Sequence, residues 1–415
     1  LSSAWRRGAA ALAFMDYNIV GSGAINRDSQ LLWVRGITDR VAKLAPFLTF
    51  DGDPYPVIVE GRVLWVVDAY TSTSRYPAAE AVGNDVELSA QTGIPRSANY
   101  VRNSVKAVVD AYDGSTVFYV MGASAADPSG RDPIIGAWRQ AFPALFRDAD
   151  EMPAELKDHL RYPEDLFRVQ TSVYSKYQLD PEAFFDRDGA WSVAQSPDAP
   201  VALAPPTVTV DQTRSRDAND FLSEPATGRF VPYYTLFANP AGDEEFVLFR
   251  PFVPFSADDR RTELQAYMTA SGDFADYGTL RAYVIGNPTL PFGPQKVASD
   301  IGTDPAISTQ ITLLSRSGSA TVAFGDLQLL PVGHGLLYAR PIYTVIATGP
   351  GAFATHYRFM IMYDNGRASY APTIAGAVQT LFPLFDGDIG EIVPSSSGVE
   401  GIPAGPFDPL DPFDL

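Results

Sequence analysis

The residues of this sequence that could do chemistry are mainly carboxylates, and four aspartates stand out by position. Asp51 and Asp53 flank a glycine in the segment FDGDPYP, and Asp68 and Asp110 each lie in a copy of the pentapeptide VVDAY. Paired carboxylates can act as acid and base in glycoside hydrolysis, and clustered carboxylates can hold a metal ion. The four aspartates are therefore weak candidates for a catalytic or metal site.

The spacing around Asp51 argues against a calcium loop. A loop of the EF-hand type that began at Asp51 would have Asp53 as its next ligand, but Tyr55 would stand at the following ligand position and Arg62 at the last. We therefore predict no metal site and interpret FDGDPYP mainly as a turn. For the two strand aspartates, an arginine or backbone amide partner is favoured over a ligand role, since an unpaired buried carboxylate is costly.

Most other chemistries lack their motifs. The chain has no cysteine, which excludes disulfides and zinc–thiolate sites, and its three histidines (His159, His334 and His356) are scattered, as structural histidines are. No phosphate-binding loop, dinucleotide fingerprint or nucleophile elbow occurs, so we predict no cofactor. A Ser-His-Asp triad is left open, because its members meet only in space.

Composition and charge narrow the class of protein. The chain has 415 residues, 46% of them hydrophobic, and a net charge of −18. The negative charge argues against nucleic-acid binding and against electrostatic attachment to anionic lipid. No apolar run is long enough to cross a membrane, and GAAALAFM near the N-terminus is predicted to be an amphipathic helix.

The elements that must position the aspartates are predicted from apolar periodicity and turn residues. A helix is expected from Asp28 to Leu44, followed by the FDGDPYP turn. Hairpins are expected at Glu60-Gly61, Asp113-Gly114 and Asn365-Gly366. The two VVDAY copies are predicted to lie in one sheet.

The rest of the chain predicts an α+β fold with mostly antiparallel sheets, packed helices and two subdomains. Helices are expected in four segments before residue 190, DPIIGAWRQAF, PAELKDHL, YPEDLFRVQTSVYSKY and DPEAFFDR, and in three later ranges, 259–270, 305–314 and 372–381. The predicted organisation is an N-terminal α+β subdomain (1–195), a linker (196–206), a β-rich C-terminal subdomain (207–385) and an acidic tail (386–415). In the tail, Phe407, Leu410 and Phe413 are expected to anchor in an apolar groove.

Several long segments resemble a known family. RVAKLAPFLTFDGDPYPVIVEGRVLWVVDAYTSTSRYP, YVRNSVKAVVDAYDGSTVFYV, LRYPEDLFRVQ and MIMYDNGRASYAPTIAGAV are similar to blocks of the family numbered 0182 among the uncharacterised protein families. The resemblance implies the outer domain of a large multi-pass bacterial membrane protein, located on the extracytoplasmic side of the cell membrane. It implies no activity and no catalytic residues.

Three functions follow as hypotheses. The first is a non-enzymatic binding or scaffolding domain of the cell envelope, whose partners are its own transmembrane region and an envelope polymer, a lipid or a protein. The second is a glycan hydrolase that uses a carboxylate pair, and the third is a metal-dependent sensor. Oligomeric state is left open.

Overall fold

The structure, a computed structural model, groups the chain into two compact units. The first unit comprises residues 1–196 and 227–293, and the second comprises residues 197–226 and 294–415. The structure describes residues 1–29, 31, 33–83, 86–122, 132–197, 228–238, 244–256, 259–286, 290–315, 320–332, 335–349 and 352–384.

The first unit combines helices with two sheets. Its helices are α1 (Ala4–Phe14), α2 (Asn18–Gly21), α3 (Ile37–Leu44), α4 (Pro133–Ala141), α5 (Ala154–Lys157), α6 (Glu164–Tyr177) and α7 (Pro181–Asp186). Its strands are β1 (Thr49–Phe50), β2 (Tyr55–Val59), β3 (Arg62–Thr73), β4 (Tyr100–Asp110), β5 (Thr116–Val120), β6 (Phe146–Asp148), β7 (Trp191–Val193), β8 (Tyr233–Ala238), β9 (Glu244–Pro254), β10 (Ala266–Ser271) and β11 (Leu280–Val284).

The first sheet follows the order β1-β3-β4-β5-β6, with β2 also paired to β3, and only the β5–β6 pair is parallel. The two hairpins predicted here are confirmed. Glu60 and Gly61 have φ angles of 50° and 74°, the positive values that a tight two-residue hairpin turn requires. Residues 111–115 turn the chain between β4 and β5, with Gly114 at a φ angle of 70°.

The two VVDAY copies lie in neighbouring antiparallel strands of this sheet, as predicted. Val66 pairs with Val108, so that Asp68 faces Lys106 across the ladder while Asp110 faces Leu64. The copies end differently, because β4 stops at Asp110 and the chain then turns. The shared residues therefore place both copies in one sheet without giving their aspartates the same surroundings.

The second sheet follows the order β11-β10-β9-β7, with β8 also paired to β9. Strand β7 comes from the predicted N-terminal subdomain and β9 from the predicted C-terminal one. The sheet therefore extends across the predicted boundary, and its contacts group residues 227–293 with the N-terminal part.

Two predicted helices are wrong in whole or in part. Residues 259–270 form a loop and most of strand β10 instead of a helix. All six residues of β10 are buried, and the periodicity of such a short apolar run fits a helix and a strand equally well. The helix predicted from Asp28 begins only at Ile37, because Gly36 before it has an extended backbone and glycine is a poor helix former. The four helices predicted between residues 130 and 190 are present as α4 to α7.

In its described residues, the second unit has three helices and one antiparallel sheet. Its elements are α8 (Pro294–Thr303), α9 (Pro305–Ser315), β12 (Ala320–Phe324), β13 (Gln328–Val332), β14 (Gly335–Gly349), β15 (Ala352–Asp364), β16 (Arg367–Ala371) and α10 (Ile374–Leu381). The sheet order is β12-β14-β15-β16, with β13 also on β14. The helices predicted near residues 305 and 372 and the Asn365-Gly366 hairpin are confirmed, and so is the α+β class.

Some predictions lie outside the described residues. They concern His334, nearly all of the linker and the tail with Phe407, Leu410 and Phe413. Within the described part of the chain, no helix has the length and apolar character needed to cross a membrane.

The FDGDPYP turn depends on its glycine, which gives a stability prediction. A Cβ atom on Gly52 would lie 2.2 Å from the backbone oxygen of Gln91, far inside van der Waals contact. We expect Gly52→Ala to lower the free energy of unfolding by about 1–3 kcal/mol, the usual cost of overpacking, measured by urea denaturation.

The matched control is Gly8→Ala in helix α1, where a Cβ atom would meet nothing within 4 Å. This substitution should leave stability equal or slightly higher, because alanine is the better helix former. Equal stability of Gly52→Ala and the wild type would show that the turn does not need a glycine.

Candidate functional site

A buried ion pair joins β3 and β4 in the first sheet. Lys106 is 0% exposed, and its ammonium group contacts the carboxylate of Asp68, which faces it across the ladder. Asn103 Nδ2 donates to Asp68 Oδ1 at 2.9 Å, and Lys106 Nζ donates to the Arg161 carbonyl at 2.6 Å. The sequence favours an arginine or a backbone amide as the partner of Asp68, and the structure instead gives it a lysine and the side-chain amide of Asn103.

Aromatic rings enclose this pair. Lys106 Nζ lies 4.9 Å from the centroid of the Tyr277 ring, at a distance typical of a cation–π contact. The Tyr277 hydroxyl lies 2.8 Å from Asn103 Oδ1 and 2.9 Å from the Arg161 carbonyl, both of which are acceptors. The Tyr55 ring lies 4.7 Å from the Arg161 guanidinium. The pair is thus surrounded by polarisable groups in place of water.

Burial dominates the electrostatics of the pair. It raises the pKa of Asp68 and lowers the pKa of Lys106, since both charged forms lose their hydration. The attraction between the two groups acts against both shifts. Each charge therefore depends on the other to remain in the interior.

Asp51 lies beside this pair, which brings two of the sequence candidates together. Its backbone N–H donates to the Asp68 carbonyl at 2.8 Å, and its carboxylate accepts from the Tyr70 hydroxyl and from the Asp53 amide. Burial, with a smaller contribution from the Asp68 charge, raises the pKa of Asp51 to about 6. Asp53 is exposed on the turn itself.

Asp110 belongs to a different place. Its Oδ2 accepts from Arg62 Nε at 2.7 Å, and its Oδ1 accepts from the Tyr112 amide at 2.8 Å. These are the arginine and backbone amide partners that the sequence favours, and they stabilise the turn after β4. In the residues described by the structure, no cluster of three or more histidine or acidic side chains is arranged to hold a metal ion.

A cavity of about 970 Å³ lies next to the buried network, and we call it the polar cavity. Its walls come from β4, from α6 and from the segment between β10 and β11. Its polar lining residues are Asn103, Ser104, Gln170 and Thr279, its charged ones are Arg102, Asp132, Asp150 and Asp276, and its aromatic ones are Tyr162, Phe274 and Tyr277. None of the four candidate aspartates lines the polar cavity, but Asn103 and Tyr277 connect it directly to Asp68 and Lys106.

Asp132 fixes another part of the cavity wall. It caps α4 through the Ile134 amide, and its carboxylate also accepts from Tyr100 at 2.9 Å and from Ser104 and Thr71 at 2.5 Å. Four donors hold this buried carboxylate in one position. Sequence reasoning missed it, although an aspartate directly before Pro133 is a recognisable helix start.

Gln170 offers a polar group to the cavity. Its Oε1 accepts from the Tyr162 hydroxyl at 2.9 Å, which leaves its Nε2 group without a hydrogen-bond partner among the described residues. The orientation of the amide is set by this contact, so that the donor points away from Tyr162. A ligand with hydroxyl or carbonyl acceptors would satisfy it.

These features define an α+β protein whose first unit carries a polar cavity supported by a buried ion pair. The chain belongs to the Uncharacterised protein family (UPF0182), whose family model matches residues 1–314.

Similar proteins occur in bacteria and in an archaeon. A UPF0182 protein of Rhodococcus opacus is 35% identical over 96% of this chain, and one of Methanospirillum hungatei is 35% identical over 90%. A UPF0182 protein of Trichodesmium erythraeum is 32% identical over 92% of the chain. The chain spans only 37–38% of the length of these relatives. No solved structure matches the chain significantly.

The raised pKa of Asp51 gives a prediction of pH dependence. Because the pKa rises from 3.8 to about 6 on folding, the folded chain retains a proton that the unfolded chain has lost. This stabilisation is complete below about pH 4 and is lost as the pH rises through about 6. Relative to Asp51→Asn, the free energy of unfolding of the wild type should therefore fall by up to about 3 kcal/mol between pH 4 and 7.

Denaturation of both proteins across this pH range measures the difference. As a second variant, Tyr70→Phe removes the hydroxyl that favours ionised Asp51 and should move the fall to higher pH. A difference between the wild type and Asp51→Asn that stays constant with pH would contradict the assignment.

Proposed function

We propose that this chain is a binding domain of the cell envelope, and that the polar cavity holds a neutral, hydroxyl-rich ligand such as a segment of an envelope glycan. The observation that carries the proposal is the cavity itself. At about 970 Å³ it lies within the size range of ligand sites, and amide, hydroxyl and carboxylate groups and one arginine line it beside aromatic rings. Sugars present hydroxyl groups at their edges and apolar C–H faces to rings, and this lining matches both.

The wall of the cavity is fixed before any ligand arrives. Asn103 is held between Asp68 and Tyr277, and Ser104 donates to Asp132. A site whose side chains are already ordered loses less entropy when it binds. This rigidity supports a binding role for the polar cavity.

Binding is favoured over glycan hydrolysis because of where the perturbed carboxylate lies. A raised pKa such as that of Asp51 suits a general acid. Asp51 does not line the polar cavity, however, and its carboxylate accepts from Tyr70 and the Asp53 amide. Of the three carboxylates that do line it, Asp132, Asp150 and Asp276, the first and last already accept hydrogen bonds from protein side chains. No observation among the described residues favours the metal-dependent sensor.

The length of the relatives bears on where in the cell this chain lies. We propose that the chain is the extracytoplasmic domain of a longer multi-pass membrane protein and lies against its own transmembrane region and the adjoining lipid surface. The relatives are longer than the chain by more than a factor of two, which leaves room for such a region.

Helix α1 supports this location. Trp5, Leu12 and Met15 on and after it are 85%, 80% and 95% exposed, an unusual display of large apolar side chains. Arg6 and Arg7 lie beside Trp5, as basic residues do in helices that rest in a membrane interface.

The ligand prediction uses soluble oligosaccharides as probes. Chitotetraose, cellotetraose and maltotetraose are titrated against the chain by calorimetry, and we expect saturable binding of at least one. Gln170→Leu should weaken that binding about tenfold, because it removes an amide group of the cavity lining.

The matched control is Gln178→Leu, just beyond α6 and away from the cavity lining, which should bind like the wild type. If none of the three sugars binds, or if Gln170→Leu binds as tightly as the wild type, the glycan assignment is wrong.

The location prediction uses flotation with phosphatidylcholine vesicles, since the net charge of −18 disfavours anionic lipid. We expect a fraction of the chain to float with the vesicles. Serine substitutions at Trp5, Leu12 and Met15 together should abolish flotation, because they remove the exposed apolar surface of α1.

The control replaces three exposed apolar strand residues, Ile58, Leu236 and Val284, with serine. This variant should float like the wild type. If the chain does not float, or if both triple variants lose flotation equally, α1 is not the membrane-facing surface.

A further inference from the structure

A second cavity, of about 540 Å³, lies elsewhere in the first unit and shares no lining residue with the polar cavity. Residues of α6, α7 and β7 line it, and so does Arg250 of β9. Its charged lining residues are four cations and two acids, in a chain with a net charge of −18. We call this space the arginine cavity.

Arg250 is buried without a carboxylate partner among the described residues. It is 4% exposed, and its guanidinium donates to the Phe230 carbonyl at 2.9 Å, to Thr171 Oγ1 at 2.8 Å and to the Arg168 carbonyl at 3.3 Å. All three acceptors are neutral. The side chain is therefore held in place by neutral acceptors, and the nearby Glu87 and Glu164 carboxylates attract its charge without a direct hydrogen bond to it.

The surroundings make this charge costly. Burial and the neighbouring charge of Arg168 lower the pKa of Arg250 to about 9, so the group is still a cation at neutral pH. A buried charge that no carboxylate contacts directly is unfavourable in a protein interior. An anionic group that enters the cavity would supply a counter-ion in direct contact.

Glu87 needs a hydrogen-bond donor, where Arg250 needs an anionic acceptor. It lines the same cavity, and its Oε2 atom is buried with no hydrogen-bond partner in the described part of the chain. Its charge acts on Arg250 in the sense that raises the Arg250 pKa, which places the two groups within electrostatic reach. The cavity thus presents one unpaired acceptor and one cation whose hydrogen bonds go to neutral groups.

The remaining wall is largely aromatic. Tyr177, Phe184, Trp191 and Phe255 line the cavity, with the Tyr177 and Phe184 rings stacked at 5.6 Å. Lys176, one of the other cations, is bound to Glu80 at 2.9 Å. An apolar group is therefore the natural occupant of the space between the charged residues.

We infer that the arginine cavity binds a small zwitterion with an apolar side chain, an α-amino acid of the phenylalanine or leucine type. The carboxylate of the ligand meets Arg250, its ammonium group meets Glu87, and its side chain packs against the aromatic wall. Each end of the ligand supplies what the protein lacks at that point. This inference concerns a different site from the proposed glycan site and does not depend on it.

The test titrates three probes against the intact chain by calorimetry. L-phenylalanine carries both charges, 3-phenylpropionate lacks the ammonium group, and 2-phenylethylamine lacks the carboxylate. We expect phenylalanine to bind at least about tenfold more tightly than either analogue. If phenylpropionate binds as tightly as phenylalanine, or if phenylalanine does not bind at millimolar concentration, the inference is wrong.

Two variants assign the contacts. Arg250→Lys retains the charge but loses the planar fork, and it should weaken phenylalanine binding about tenfold. Glu87→Gln should weaken phenylalanine binding about fivefold and leave phenylpropionate binding unchanged. If Arg250→Lys does not fold, the binding data of Glu87→Gln alone test whether the cavity binds a zwitterion.

The matched controls are Arg62→Lys and Glu182→Gln, neither of which lines the cavity. Both should bind phenylalanine like the wild type. If Glu87→Gln weakens the two probes equally, or if it weakens neither, Glu87 does not receive the ammonium group and the zwitterion assignment fails.

Discussion

The ion pair between Asp68 and Lys106 is the interaction on which the rest of the first unit depends. Two charges in a protein interior lose several kcal/mol of hydration each, so they persist only where further groups complete their coordination. Here those groups come from separate parts of the chain: Asn103 from β4, the Arg161 carbonyl from the segment before α6, and Tyr277 from the segment between β10 and β11. Because one buried ion pair needs partners from all three places, it holds the first sheet, the start of α6 and the second sheet in contact. The polar cavity is lined by these same elements.

Two of the buried cations in the first unit, Lys106 and Arg250, have opposite surroundings, and the difference separates a structural role from a binding role. Lys106 has an internal carboxylate, a carbonyl acceptor and an aromatic ring, so nothing remains for a ligand to supply. Arg250 has neutral acceptors only and lines a cavity. A charge in contact with an opposite charge holds elements together, whereas a charge bound only to neutral acceptors beside open space favours an anionic ligand. This distinction, rather than burial alone, identifies Arg250 as the binding group.

The sequence predicts local features of this fold well and its distant contacts poorly. Hairpins at Glu60-Gly61 and Asn365-Gly366 follow from turn residues that tolerate positive φ angles, and the VVDAY copies follow from strand patterning. The helix predicted over 259–270 is wrong because a fully buried strand does not show the alternation of apolar and polar residues that marks most strands. The polar cavity could not be predicted from the sequence, because Asn103 and Tyr277 lie 174 positions apart and neither belongs to a recognisable motif. Of the four candidate aspartates, only Asp51 and Asp68 meet at the buried network, since β1 pairs beside β3 and brings the turn to it.

The FDGDPYP segment can now be assigned a physical role. The Asp51 carboxylate accepts a hydrogen bond from the Tyr70 hydroxyl, and the Asp51 backbone N–H donates to the Asp68 carbonyl on β3. Gly52 allows the turn to pass close to Gln91, and Tyr55 begins β2 and stacks on the Arg161 guanidinium. Asp51, Gly52 and Tyr55 line neither cavity, and Asp51 bonds directly to Asp68 of the pair. The chemistry of the segment is therefore that of positioning: it holds β3 in the place where Asp68 can meet Lys106, and the groups left for ligands lie elsewhere on the same unit.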